Sequence, residues 1–304
     1  MRIGVIGLGN IGGAITANLI EDGHEVFIFD TDKGRCEPLA GVGATQVSGP
    51  AEVAQRSDVT FTSLPSPGVM REVAEEWLDA ATPDSVLIDL STNAPQTVRE
   101  VGKRLASAGC YLLEAPLTGG APGAQARTLV FMVGGDQAIF RRCEPILEKL
   151  GRASFYLGSL GLGNTAKLVN SLLAFSSAWV SLEGLALAAK AGIDLRTMVD
   201  VIRTGGAGNF FTDRMVEGIN QRGRPTQFSL ALAAKDAGLL LDLAREAAVP
   251  MPVAAEIAQV FVAALGAGLG ERDWSDLVEL IERQADVKLE LPPPRPSDGE
   301  KEKP

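Results

Sequence analysis

Residues 164–191 contain no proline and a single glycine, and alanine, leucine and serine dominate them. Nothing in the run breaks a helix, and its 28 residues predict a rod of about 40 Å. Because the run is apolar nearly all round, the helix is expected to be buried against more than one neighbour. It is long enough to raise the question of a bilayer span. Lys167, Glu183 and Lys190, with many Ser and Ala, favour a buried soluble helix instead. Ahead of it, Gly158, Gly161 and Gly163 make a loop whose backbone could come close to a ligand, since no Cβ stands in the way. Lys167 and Asn170, three residues apart in the first turn, share a face. A lysine at that place is either a satisfied structural cation or a working acid.

The N-terminus narrows the choice. Residues 2–6 form a short apolar run, Gly7-Leu8-Gly9-Asn10-Ile11-Gly12 follows, and residues 12–21 have helical character. Residues 26–29 are β-branched and aromatic and end at Asp30, eighteen residues after Gly12. Strand, glycine turn, helix, strand and acid is the order of a dinucleotide-binding unit. Gly7 permits the tight turn, Gly9 lets the backbone reach a pyrophosphate, and Gly12 lets helix lie on strand. Asp30 suits the ribose hydroxyls of NAD; Lys33 and Arg35 lie close enough in sequence to leave NADP possible.

Residues 59–65 and 86–92 read as further strands, ending in Ser63 and in Ser91-Thr92, where a doubly wound sheet places its ligand crevice. Residues 111–117 and 129–133 extend the series. Between them, Thr118-Gly119-Gly120 opens a glycine-rich segment that is either an anion cradle or a surface loop. Beyond the long helix no strand-like alternation occurs, and Gly192, Gly205-Gly206 and Pro250 punctuate helices, one of which carries Lys235-Asp236. From residue 287 the chain is proline-rich and charged and reads as a disordered tail unable to build a core. The expected fold is α/β: a Rossmann doubly wound sheet over residues 1–160, a long interdomain helix over 161–191, an all-α domain over 192–285 and the tail over 286–304.

Composition removes several classes of function. A net charge of −10 argues against a nucleic-acid partner. His24 is the only histidine, and its place between helix and strand suits a structural residue, so a histidine triad or His-rich metal site is not expected. Cys36, Cys110 and Cys143 lack metal-ligand spacing and read as reduced thiols in a cytoplasmic protein. The opening MRIGVIG has no signal-peptide pattern, and no membrane partner is expected.

Four segments in order, GLGNIGGAITANLIEDGHEV, EAPLTGGAPGA, GLGNTAKLVN and AAKDAGLLLDLA, resemble the signatures of the β-hydroxyacid dehydrogenase family. Its members include 3-hydroxyisobutyrate dehydrogenase and tartronate semialdehyde reductase, with 6-phosphogluconate dehydrogenase a larger relative. The resemblance implies that Gly7, Gly9, Asn10, Ile11 and Gly12 hold the pyrophosphate and that Asp30 faces the adenosine ribose. It places Leu64 and Pro65 along the cofactor groove and Thr92 near the nicotinamide ribose. Thr118, Gly119 and Gly120 would bind the substrate carboxylate, Lys167 would be the catalytic lysine, and Asn170 would support the substrate. Lys235, beside Asp236, would reach substrate and cofactor from the C-terminal domain. A homo-oligomer, dimer or tetramer, is also expected.

The chain departs from the family pattern at three places. Thr118 replaces the usual serine, and Arg127 stands where glycine usually precedes Thr-Leu, either facing outward or reaching a second anionic group of the substrate. The asparagine commonly found four residues after the lysine is Ser171 here, with Asn170 preceding it.

Interconverting an alcohol and a carbonyl with a nicotinamide needs a hydride transfer and a proton transfer. With His24 set aside, Lys167 is the titratable group for the proton, provided burial beside the cofactor's positive ring lowers its pKa. The substrate is expected to be a small anion, a β-hydroxyacid or its semialdehyde, with no metal required. An imine or other carbonyl reductase is the alternative, though imine reductases usually lack this lysine. A non-catalytic dinucleotide-binding module is the alternative from another class, and the presence of Lys167 and Lys235 counts against it.

Overall fold

The computed structural model describes residues 1–291. The described chain divides into two compact units, Met1–Asn170 with Gly238–Pro250, and Ser171–Ala237 with the residues from Met251 onward. The division falls within the long helix, after Asn170, whereas the sequence reading treats residues 161–191 as a segment of its own.

Strands of the first unit are β1 (Arg2–Ile6), β2 (Glu25–Phe29), β3 (Thr45–Gln46), β4 (Val59–Thr62), β5 (Val86–Asp89), β6 (Tyr111–Glu114), β7 (Leu117–Thr118), β8 (Leu129–Gly135) and β9 (Gly151–Gly158). Among the described residues they form one nine-stranded sheet in the order β3-β2-β1-β4-β5-β6-β8-β7, with β9 on β8. From β3 to β6 the pairs are parallel; β8 is antiparallel to β6 and β7 and parallel to β9. This is the doubly wound order of a dinucleotide-binding domain, extended at one edge. The helices of this unit are α1 (Asn10–Glu21), α2 (Lys33–Ala40), α3 (Pro50–Arg56), α4 (Pro67–Leu78), α5 (Pro95–Ala106), α6 (Gly120–Gln125), α7 (Gln137–Leu150) and the start of α8 (Leu162–Lys190).

Alternation along the strands divides the core into two layers. Ile3, Val5, Val26, Ile28, Phe61 and Ile88 join Ile15 and Leu19 of α1 and Phe140 and Leu147 of α7 on one face. Ile6, Phe27, Leu87 and Leu112 join Met70 and Trp77 of α4 and Val98 and Leu105 of α5 on the other. With both faces covered, the parallel strands read as nearly continuous apolar runs, which is why they were visible in the sequence. β9 was not: GRASFYLG is bounded by glycines and leaves Phe155 and Leu157 exposed.

The second unit holds α8 from Ser171, α9 (Leu195–Thr204), α10 (Phe210–Asn220), the first half of α11 (Leu230–Glu246), α12 (Pro252–Gly266), a 3-10 turn at Trp274–Asp276 and α13 (Leu277–Ala285). Among the described residues its all-helical character departs from expectation only in an isolated bridge between Ser229 and Asp273. Phe175 is central: its ring meets Phe261 edge-on at 4.9 Å and Trp274 at 5.9 Å. Buried Asp273 accepts from Arg224 at 2.7 Å and from the Gln227 and Ser275 backbone N–H groups, tying the bridge to the 3-10 turn.

Two expectations need correction. Helix α8 is not covered all round: Leu162, Val169, Leu173, Val180 and Leu187, recurring at steps of four and seven residues, are exposed along it. Its length and composition also meet those of a membrane span. Nor does the chain from residue 287 bury nothing. Leu289 is fully buried in the helical core, with Val287 and Leu291 against it, and Arg222 holds the Leu289 carbonyl at 2.8 Å. One buried leucine in a charged, proline-rich stretch is enough to dock the segment when a guanidinium donates to its carbonyl. The remainder of the expected tail, residues 292–304, lies outside the described residues.

Candidate active site

The glycines of the first turn answer to different demands. Gly7 has φ +88°, and a Cβ there would strike the Ser63 carbonyl; one on Gly12 would strike the Gly7 carbonyl. Those two are required by the chain itself. At Gly9 the nearest atom to an added Cβ is Arg35 Nη1 at 3.8 Å, so the bare backbone there faces open space at the N-terminus of α1. The feature suits a nucleotide phosphate, because helix N-termini favour anions. Asp30, at the end of β2, accepts from the Leu8 N–H at 2.7 Å and the Asp32 N–H at 2.8 Å. Glycine loop and acid are thereby locked together.

Hydrogen bonds continue along the carboxyl ends of the neighbouring strands. Buried Asp89 accepts from Thr62 Oγ1 at 2.8 Å, Ser91 Oγ at 2.7 Å and Asn93 Nδ2 at 2.7 Å. Burial pushes its pKa up, against the pull of the Ser91, Thr62 and Asn93 bonds. Ser91 Oγ accepts in turn from the Leu64 N–H at 2.8 Å, which fixes the Leu64-Pro65 turn against the segment carrying Thr92. The Asn93 N–H reaches across to Asn164 Oδ1 at 2.7 Å, in the first turn of α8. Lys167 and Asn170 follow on that helix, both half-buried, and Ser171 is buried.

Glu114, fully buried at the end of β6, accepts from Gly161 N–H, from Gly163 N–H at 3.0 Å, and from Asn164 N–H at 2.9 Å and Nδ2 at 2.7 Å. Burial raises its pKa and the Asn164 and glycine bonds oppose the rise. These contacts correct the reading of the glycines before α8. A Cβ on Gly163 would strike the Met132 carbonyl and stand 3.0 Å from the Glu114 carboxyl carbon, and one on Gly161 would strike Arg99. Those glycines make room for the protein's own groups.

β6 runs on to β7, which ends at Thr118. Gly119 (φ +118°) and Gly120 (φ +61°) turn the chain into α6 with a backbone that only glycine adopts freely. Asn18 of α1 holds α6 through the Ala124 carbonyl at 2.8 Å. Arg127, at φ +57°, donates to both Asp22 oxygens at 3.0 Å, to Glu21 at 2.9 Å and to the Asn18 and Lys149 carbonyls. In this structure it is a clamp between α1 and the loop after α6. Lys235 lies on α11 in the second unit, its Nζ 3.1 Å from buried Asp236.

Gly7, Gly9, Asn10, Ile11, Gly12, Asp30, Leu64, Pro65, Thr92, Thr118, Gly119, Gly120, Lys167 and Asn170 thus share one unit, on segments joined by these bonds. Sequence reasoning did not single out Asp89, Asn93, Glu114 or Asn164. The signal available for two of them was an acid closing an otherwise apolar strand. Among the described residues no group of three or more His, Cys, Asp or Glu side chains is placed to hold a metal ion.

A doubly wound sheet with a glycine turn and an acid after its second strand defines a dinucleotide-binding domain. Comparison with known proteins narrows the class. Residues 2–158 match the NAD-binding domain of 6-phosphogluconate dehydrogenase, and residues 161–281 match the NAD-binding domain of NADP-dependent 3-hydroxyisobutyrate dehydrogenase. The mitochondrial 3-hydroxyisobutyrate dehydrogenase of Drosophila melanogaster is 33% identical, covering 93% of this chain and 90% of that protein. The 2-(hydroxymethyl)glutarate dehydrogenase of Eubacterium barkeri is 31% identical over 95% of this chain and 97% of its own. The structure of Mycobacterium tuberculosis 3-hydroxyisobutyrate dehydrogenase with L-serine superposes with a TM-score of 0.85 at 30% identity, covering 92% and 98%. The chain belongs to the β-hydroxyacid dehydrogenase family, as an NAD(P)-dependent hydroxyacid dehydrogenase or reductase.

Proposed function

We propose that the enzyme interconverts a small β-hydroxyacid and its semialdehyde, in the manner of 3-hydroxyisobutyrate dehydrogenase, with Lys167 as general acid–base. The observation that carries this is the position of Lys167 one turn after Asn164, which is bonded to both the Thr92 segment and the strand leading to Thr118. The bound nicotinamide supplies or accepts the hydride. The chain's own groups do the rest. Thr118, Gly119 and Gly120 offer hydroxyl and N–H donors to the substrate carboxylate, needed because the protein's net charge of −10 repels anions. Asn170 orients the reacting oxygen, and Lys167 donates a proton to it in reduction and removes one in oxidation. Lys235 is assigned a contact with substrate and cofactor on sequence resemblance alone.

Relatives named for 3-hydroxyisobutyrate, 2-(hydroxymethyl)glutarate and glyoxylate or succinic semialdehyde support a small carboxylate substrate. We assign NAD as the preferred cofactor on the strength of Asp30. The exposed apolar stripe on α8 supports a homo-oligomer, since a soluble chain gains by covering it. The buried thiols of Cys36, Cys110 and Cys143, none in a disulfide, suit a cytoplasmic setting. The test is a panel of small hydroxyacids and semialdehydes, each assayed with both nicotinamide cofactors. Turnover confined to carboxylate-bearing members supports the reading; equal rates on their uncharged esters or alcohols defeat it.

A further inference from the structure

Glu114 is an acid where the fold should least want one. Its side chain is fully buried, and leaving a carboxylate out of water is costly unless donors surround it. Four N–H groups, from Gly161, Gly163 and twice from Asn164, do so, and three of them are backbone groups at the start of α8. Caps of helix N-termini usually come from the residue just before the helix. This one comes from a strand end nearly fifty residues earlier in the chain.

The surroundings are cut to fit it. A Cβ on Gly134 of β8 would collide with a Glu114 carboxylate oxygen, and a Cβ on Gly163 would press on the Glu114 side chain. The carboxylate also stands between two segments of the site. Thr118, at the end of β7, follows four residues after Glu114, and Lys167 follows three residues after Asn164 along the helix. Three residues is close to one helical turn, so Asn164 and Lys167 fall on the same side of α8.

We infer that Glu114 is a positioning residue for the reaction: it fixes the first turn of α8 against β6 and so sets Lys167 relative to the Thr118-Gly119-Gly120 loop. The inference rests on the role of Lys167 proposed above. Asn164 is the intermediary, because its amide N–H donates to Glu114 and its amide oxygen accepts from the Asn93 backbone N–H. A neutral amide at residue 114 would turn one of its own N–H groups toward these donors and loosen the turn.

The experiment compares wild-type enzyme with Glu114→Gln, Glu114→Asp and Asn164→Ala. It measures kcat and KM on the best substrate of the panel, NADH affinity by fluorescence, and hydrogen exchange of peptides covering residues 159–170. Glu114→Gln should lose roughly tenfold to a hundredfold in kcat, as small misplacements of a catalytic group do. KM and NADH affinity should hold, residues 159–170 should exchange faster, and Glu114→Asp should recover part of the rate. A wild-type kcat in Glu114→Gln overturns the inference. So does a parallel fall of kcat, NADH affinity and protection everywhere, without recovery in Glu114→Asp. If Glu114→Gln does not fold, Asn164→Ala decides: a smaller loss of kcat supports the inference and none refutes it. If the wild-type enzyme turns over no hydroxyacid, the functional reading has failed and the exchange data decide alone. Unchanged protection of 159–170 in the variants then rules the positioning role out.

Discussion

Arg35 Nη1 lies 3.8 Å from the Asp30 carboxylate, and Asp30 is itself held by the Leu8 and Asp32 backbone N–H groups. An acid and a base therefore stand together where the adenosine ribose is expected. The acid is locked in place; the base is half-exposed and also pairs with Asp32, its Nε 3.4 Å from that carboxylate. NAD should be favoured over NADP by about tenfold or more in kcat/KM, equivalent to ~1.4 kcal/mol. Arg35→Ala should cost NADPH more than NADH, and Asp30→Ala should narrow the gap. Steady-state kinetics with both cofactors check this, and a tenfold preference for NADP in the wild type would contradict it.

Lys167→Ala should fold, bind NADH and lose turnover by ~10²-fold or more, the usual contribution of acid–base catalysis. NADH fluorescence separates binding from chemistry. Near-normal turnover would remove Lys167 from the mechanism.

Arg127 makes its bonds to Asp22, Glu21 and two carbonyls, so it should not discriminate between substrates. Arg127→Gly should leave the ratio of kcat/KM for mono-anionic and di-anionic hydroxyacids unchanged. The glycine also relieves a left-handed backbone that costs a non-glycine residue about 1–2 kcal/mol, offsetting the lost ion pairs. Selective loss on the di-anion would restore a substrate contact.

A chain ending at Asp286 should melt several degrees below one ending at Leu291. The shorter chain gives up Leu289, whose full burial is worth about 1.5–3 kcal/mol, and the Arg222 bond to its carbonyl. Equal melting temperatures would show that the segment contributes nothing.

Asp273 has a pKa held below the usual carboxylate range: burial acts to raise it, but the bonds from Ser275, Arg224 and the Gln227 N–H prevail. A depressed carboxylate stabilises the fold above its unfolded pKa, and that stabilisation is lost as pH falls through the folded value. Asp273→Asn leaves Arg224 buried without its partner and should cost about 3–5 kcal/mol at neutral pH. Its stability should also fall less steeply on acidification than the wild type's. Parallel acid-unfolding curves for the two proteins would show that Asp273 does not govern this limb.

Much of the molecule could be read from local pattern. Gly7 and Gly12 announce a turn because their own backbone demands it, apolar runs announce strands buried on both faces, and residues 164–191 announce a helix because nothing interrupts it. These are properties of neighbours in sequence, and sequence shows neighbours. Tertiary structure decided whatever depends on distant residues meeting. It gave Gly161 and Gly163 to Arg99, Met132 and Glu114, and it turned Arg127 into a clamp on α1. It also left one stripe of α8 uncovered and buried Leu289 in a stretch whose composition suggested no core. A carboxylate such as Glu114 looks the same in a sequence whether it ends in water or among four N–H groups fifty residues away. Only the fold brings the donors to it, because the energy that makes its burial tolerable comes from groups the local sequence does not contain.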